Sequence, residues 1–311
     1  MEILHSLAVH YAETNPQTSE KYSGEGLELA RKLNEDLWTA KFLLLHGRTR
    51  YNSNDIVNAL EYLTIASSIF EKFDDELNIA DCLLRIGRCQ DLLGDSSRGL
   101  ENHFKALKIS QSLRDKKLES RAYMEMGLSC WANKDSALAL EHLNKAYELQ
   151  AEGNSKGDLA AITGNIGNVY IGMQDYKTAY KYFQKCLDIF KELNSEEGIG
   201  KTYISIGITL WGIDKLDDAL EYVNKCLTIF ERLDNKEVIA ESYSVLGSIY
   251  TDKGEFETAQ IYFDKALDIS KEYNLQYKLE NLYESKYQCA EKMGDYKTAF
   301  NFSKKHHEAV S

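Results

Sequence analysis

The chain is poor in residues that break or cross-link a fold. Its 311 residues hold a single proline, Pro16, and no glycine- or serine-rich run, so no stretch reads as a flexible linker. The six cysteines (82, 89, 130, 186, 226 and 289) form no CxxC pair. That excludes the common thiol motifs for metal and redox chemistry and predicts free thiols in a reducing, cytoplasmic setting. No apolar run is long enough to cross a bilayer, and "MEILHSLAVHYAE" lacks the basic start, apolar core and cleavage site of a secretion signal. Positive charge is also in deficit. With 37 Lys+Arg against 49 Asp+Glu the net charge is −12, which opposes binding to nucleic acid or to an anionic membrane surface.

Catalytic signatures are missing too. There is no nucleophile elbow, no HExxH, no paired carboxylates in a pocket setting and no glycine-rich nucleotide loop. The "GNSKG" run at 153–157 lacks the GKS or GKT ending and a preceding strand. The reading is therefore of a chain that is not an enzyme and uses no metal or cofactor.

What is present is a repeat. Gly47, Gly87, Gly127, Gly167, Gly207 and Gly247 lie forty residues apart without insertion or deletion. Twelve residues after each stands Ala59, Gly99, Ala139, Ala179, Ala219 or Ala259, and nineteen after each stands Ala66, Ala106, Ala146, Cys186, Cys226 or Ala266. The frame divides the whole chain into one domain of about eight repeats: 1–39, 40–79, 80–119, 120–159, 160–199, 200–239, 240–279 and a shortened 280–311.

Within a repeat the apolar spacing predicts helix, tight turn, helix. Tyr243, Leu246, Gly247 and Tyr250 share one face of a first helix, Gly254 offers a left-handed stop, and Phe256, Ala259, Phe263, Ala266 and Leu267 share a face of a second. Asp95, Asp175, Asp214 and Asp295 fall in the same turn and are predicted to cap the helix that follows. A glycine inside a helix costs about 1 kcal/mol against alanine. Accepting that cost six times implies that two backbones nearly touch there, with Cys186 and Cys226 on the seam to the next repeat.

These residues resemble the tetratricopeptide repeat family, whose signature of small residues at positions 8, 20 and 27 is matched by Gly247, Ala259 and Ala266, with Tyr243 and Tyr250 at positions 4 and 11. The resemblance covers essentially the whole chain. The usual unit is about 34 residues; forty-residue units resemble those of Pins-type polarity scaffolds, kinesin light chains, Rap peptide-binding proteins and sensory regions of bacterial signalling proteins. The resemblance implies an all-α, right-handed superhelical α-solenoid whose first helices line a concave groove that holds a peptide or an extended segment of another protein.

Family positions facing such a groove carry Arg48, Arg85, Arg88, Arg121 and Lys201, the asparagines Asn165 and Asn168, and the tryptophans Trp131 and Trp211. Arginine suits carboxylates because its planar fork binds them bidentately, and an asparagine amide can both donate to and accept from an extended backbone. The expected ligand is an extended, carboxylate-bearing segment. The competing expectation is that the arginines pair with Asp91 and Glu125 on neighbouring first helices, and that the tryptophans pack between repeats. The last repeat is expected to leave Ala299, Phe300, Phe302 and Val310 partly uncovered. That suggests self-association there, or an output domain beyond Ser311 that would make the chain the sensory region of a larger bacterial signalling enzyme: a cyclase, diguanylate cyclase or kinase.

Overall fold

The computed structural model describes residues 1–12, 15–153 and 155–310; Asn154 of the "GNSKG" run lies outside them, as does the side chain of Val310. Every regular element among the described residues is a helix. The chain divides into two compact blocks, Met1–Ser155 and Lys156–Ser311. The N-terminal block holds α1 (Glu2–Tyr11), α2 (Pro16–Lys32), α3 (Asp36–Asn52), α4 (Ile56–Lys72), α5 (Glu76–Leu92), α6 (Ser96–Leu113), α7 (Lys116–Ala132) and α8 (Ser136–Ala151). The C-terminal block holds α9 (Lys156–Gly172), α10 (Tyr176–Glu192), α11 (Glu196–Gly212), α12 (Leu216–Leu233), α13 (Lys236–Asp252), α14 (Phe256–Glu272), α15 (Gln276–Met293) and α16 (Tyr296–Val310).

The beat of the chain is twenty residues, half of the sequence repeat. A left-handed residue ends one helix at each of Asn34, Asn54, Asp74, Gly94, Arg114 and Lys134, and again at Gln174, Asn194, Asp214, Asp234, Gly254, Asn274 and Gly294. Asparagine, aspartate and glycine tolerate this conformation best, which explains why they dominate the series. The residue that follows is the N-cap. Asp75, Asp95, Asp115, Asp135, Asp175 and Asp295 each accept from the backbone N–H three residues on, at 3.0–3.3 Å. Asp214 does not cap, contrary to expectation. It takes the left-handed position itself (φ 61), and Lys215 occupies the cap without a side-chain bond.

The glycine seams are close approaches within one helix pair. A β-carbon on Gly207 would lie 2.6 Å from Val223 Cγ2 and 3.3 Å from the Ala219 carbonyl, and one on Gly167 would lie 2.8 Å from the Phe183 ring. Ala59, Ala139, Ala179, Ala219 and Ala259 are fully buried opposite. Cys186 joins one pair to the next: its Sγ lies 3.3 Å from the Ala160 carbonyl and 3.6 Å from the Thr202 hydroxyl of α11. Burial pushes its thiol pKa upward, as it does for Cys226, which rises to about 11, so both are packing residues rather than nucleophiles.

Within each block the first helices of successive pairs touch one another: α1 with α3, α3 with α5 and α5 with α7, then α9 with α11, α11 with α13 and α13 with α15. No two second helices touch among the described residues. The first helices therefore form the tighter side of each stack, the inner wall. At the C-terminal end Phe300 is 72% exposed and Phe302 is half-buried, as expected, whereas Ala299 is buried.

Candidate functional site

The inner wall is the surface where repeats bring polar side chains together, and the two blocks use it differently. In the N-terminal block it is a network of ion pairs. Asp81 on α5 accepts from Arg85 Nε at 2.9 Å, one turn along, and from Arg121 on α7 at 2.8 Å. Burial alone would raise the Asp81 pKa, but the two guanidiniums outweigh it and hold the carboxyl below its ordinary 3.8. Arg88 reaches Glu125 across the α5–α7 step, Nε to Oε2 3.4 Å, and lies over the Tyr51 ring of α3 at 5.0 Å. Asp91, expected to pair with an arginine, instead accepts from the Ser129 hydroxyl at 2.5 Å and lies 3.2 Å from His103 Nε2.

Arg85, Arg88 and Arg121, all expected along the groove, therefore already hold acidic partners. Arg48 borders a cavity of about 420 Å3 with His5, Trp38, Lys41 and Leu44. Burial, then Lys41 and Arg48, drive the His5 pKa down, so that imidazole is neutral at pH 7. Asp81 is the residue that sequence reasoning passed over. The usable signal was its position forty residues before Arg121, which puts opposite charges at equivalent sites on adjacent first helices.

Glu125 is only 4% exposed, and burial pushes its pKa above the ordinary 4.5, with Arg88 offsetting part of that. Its folded form keeps a proton that the unfolded chain has released, so stability falls as pH rises from about 4.5 through the raised value. Glu125→Gln should flatten that decline in a urea midpoint measured against pH. An unaltered slope would show that another group carries it. Asp81 acts with the opposite sign in a separate window, since its contribution is lost only as pH falls below 3.8.

In the C-terminal block the wall is cross-linked from α11 onward. Trp211 Nε1 donates to Asp252 on α13 at 2.6 Å, Lys292 on α15 bonds the same carboxylate, and Lys278 reaches Glu241 at 2.6 Å. Trp211 thus bridges repeats, while Trp131 in the other block is 37% exposed. Lys201 pairs with Glu197 one turn away on its own helix at 2.6 Å, and both side chains are more than half exposed, so the pair is worth little.

The α9–α11 step is different. Asn165 and Asn168 stand three residues apart on the wall side of α9, both partly buried, and neither amide has a hydrogen-bond partner among the described residues. Thr163 on α9 and Thr202 on α11 bond back to carbonyls of their own helices at 2.6 and 2.7 Å. Two amides one turn apart with unused donors and acceptors form a strip able to pair with an extended backbone. No group of three or more His, Cys, Asp or Glu suited to a metal ion occurs among the described residues, and no described helix is long and apolar enough to cross a membrane.

Comparison with known proteins agrees with this architecture. Tetratricopeptide repeat models match residues 120–152, 158–232 and 198–272. The curated clustered mitochondria protein homolog of Xenopus tropicalis is 26% identical over 136 residues, 42% of this chain, and the match spans only 10% of that protein's length. Among solved structures, a Rap protein complexed with competence and sporulation factor superposes with a TM-score of 0.75 at 17% identity, over 94% of this chain and 80% of that one. The Rap conjugation gene regulator of plasmid pLS20, solved with the Phr* peptide, gives 0.72 at 17% identity, over 90% and 76%.

Proposed function

Since this chain belongs to the tetratricopeptide repeat family, we propose that it is a non-catalytic binding module that holds an extended segment of another protein against the inner wall of its C-terminal block. The observation that carries this reading is the pair of amides, Asn165 and Asn168, that have no partner among the described residues, on the first helix of a step where the described residues make none of the polar cross-links found from α11 to α15. They pair with the ligand backbone, and Lys201 meets a ligand carboxylate by giving up its exposed bond to Glu197. Arg85, Arg88 and Arg121 recognise a carboxylate only in exchange for Asp81 or Glu125, so their first role is to hold that wall in shape. A solved structural neighbour that carries a peptide supports the reading. Attached to an output domain, the same wall would be a sensory surface.

The test is selection of a displayed random-peptide library on the full chain, followed by titration of the recovered peptide. Two neutral hydrogen bonds at about 1 kcal/mol each predict roughly thirtyfold weaker binding to the Asn165→Ala/Asn168→Ala variant. Equal affinity for that variant, with its melting temperature unchanged, would place the ligand elsewhere.

A further inference from the structure

A second surface lies on the opposite side of α5. Ile79, Leu83, Ile86 and Gln90 fall on the helix face turned away from Arg85 and Arg88, and there a groove of about 710 Å3 opens between α4 and α6. Its floor is Leu83 and Ile86; the α4 rim carries Thr64 and Glu71, and the α6 rim carries Asn102, Lys105 and Lys108.

The repeat explains why it is open. The forty-residue equivalents of Asn102 are Tyr62, His142, Tyr182, Tyr222, Tyr262 and Phe302, all rings. The equivalents of Leu83 include Tyr123, Tyr203, Tyr243 and Tyr283. These rings pair across each helix pair: Tyr123 with His142, Tyr203 with Tyr222, Tyr243 with Tyr262 and Tyr283 with Phe302, at centroid distances of 5.6–6.4 Å. A lysine then closes over each set. Lys145, Lys185, Lys225, Lys265 and Lys305 all lie 4.9–5.9 Å from a ring of their own repeat.

The third repeat keeps the lysine, Lys105, and has lost both rings. Asn102 turns instead to Gln90 Oε1, 2.7 Å away, leaving the space above Leu83 and Ile86 unfilled. Lys105 is exposed and has neither a ring nor an acidic partner among the described residues. We propose that this groove seats an aromatic side chain carried by an extended segment of a partner protein, with Lys105 closing on its ring as the equivalent lysines close on theirs. The apolar floor takes the ring's body; Lys105 and Lys108, the latter over the Phe104 ring at 4.7 Å, make the α6 rim cationic and favour carboxylates flanking the aromatic residue on that side, away from Glu71 on the α4 rim. This is a docking point separate from the inner wall and does not depend on it.

The experiment titrates the isotope-labelled full chain with N-acetyl-tyrosinamide, N-acetyl-leucinamide, p-cresol and a blocked Glu-Tyr-Glu tripeptide, following the methyl resonances of Leu83 and Ile86. Saturable shifts with the tyrosine amide, weaker ones with the leucine amide, and tightest binding by the tripeptide are expected. Asn102→Tyr supplies the missing ring from within and should abolish binding while keeping or raising the melting temperature. Should that variant fail to fold, Lys105→Gln serves, with roughly two- to fivefold weaker tripeptide binding expected from loss of a cation–ring contact. Absence of saturable shifts with the tyrosine amide, equal binding of the leucine amide, p-cresol binding as tightly as the tripeptide, or unchanged tripeptide binding by either variant each overturns the proposal.

Discussion

Replacing Gly207 with leucine should destabilise the C-terminal block by about 3 kcal/mol, the upper part of the range for an overpacked interior. A bare β-carbon at that position already falls 2.6 Å from Val223 Cγ2, and Val223 is fully buried and β-branched, with no free rotamer to give way. The remaining three carbons of leucine would be driven towards the Ala219 carbonyl, where the backbone of α12 comes within 3.3 Å of that β-carbon. Loss of a helical glycine returns about 1 kcal/mol, too little to compensate. Gly24 provides the control, because a β-carbon there meets nothing within 4 Å, and Gly24→Ala should gain about that 1 kcal/mol. Because each helix pair packs chiefly on its neighbours, the damage should be local. Hydrogen exchange should accelerate first in α11 and α12. A normal unfolding midpoint for Gly207→Leu would mean that the close approach of the two helices is not what holds glycine at this site.

That seam was readable from sequence because it is set by backbone separation, which repeats every forty residues regardless of what the exposed faces carry. The same holds for the left-handed turn at Gly254 (φ 77). Asp214 departs from the expected cap because its turn is Asp-Lys where most other repeats end the same pair in Asp, preceded by Asn, Gly, Lys or Gln, and aspartate suits both the left-handed position and the cap. Only the backbone decides between them. The wall illustrates a second limit. Family positions place Arg85, Arg88 and Arg121 on a shared face, but whether they are free depends on side-chain reach across helices. That reach is what brings Asp81 between Arg85 and Arg121. Asn165 and Asn168 differ from the arginines in that neither amide has a hydrogen-bond partner among the described residues, which leaves open the reason that an asparagine within a helix implies.

Asp91→Ala is the other variant with a large expected effect, about 3 kcal/mol, because it strands polar groups inside the N-terminal block. The third repeat places His103 where the second and the fourth to seventh have Leu63, Leu143, Phe183, Val223 and Phe263. The imidazole is fully buried against Gly87, and Asp91 lies 3.2 Å from its Nε2. Ser129 donates to the same carboxylate at 2.5 Å. Gly99 replaces the alanine of the other repeats because a β-carbon there would lie 2.3 Å from Asp91 Oδ1. Gly99 and His103 thus depart from the repeat together, and both departures accommodate Asp91. Truncating it leaves the histidine without its acceptor and the serine without its bond, in a space too dry to replace either. Reverting the cluster to the pattern of the other repeats, as Asp91→Ile/Gly99→Ala/His103→Leu, should recover wild-type stability or exceed it. Leucine sits against the seam glycine at Gly47 and Gly127, and the Ser129 hydroxyl can turn to its own helix carbonyl one turn back. Urea midpoints of the single and triple variants decide the matter. A single variant as stable as wild type would mean that His103 gains nothing from the carboxylate. A triple variant no better than the single would mean that the loss came from packing rather than from stranded polar groups.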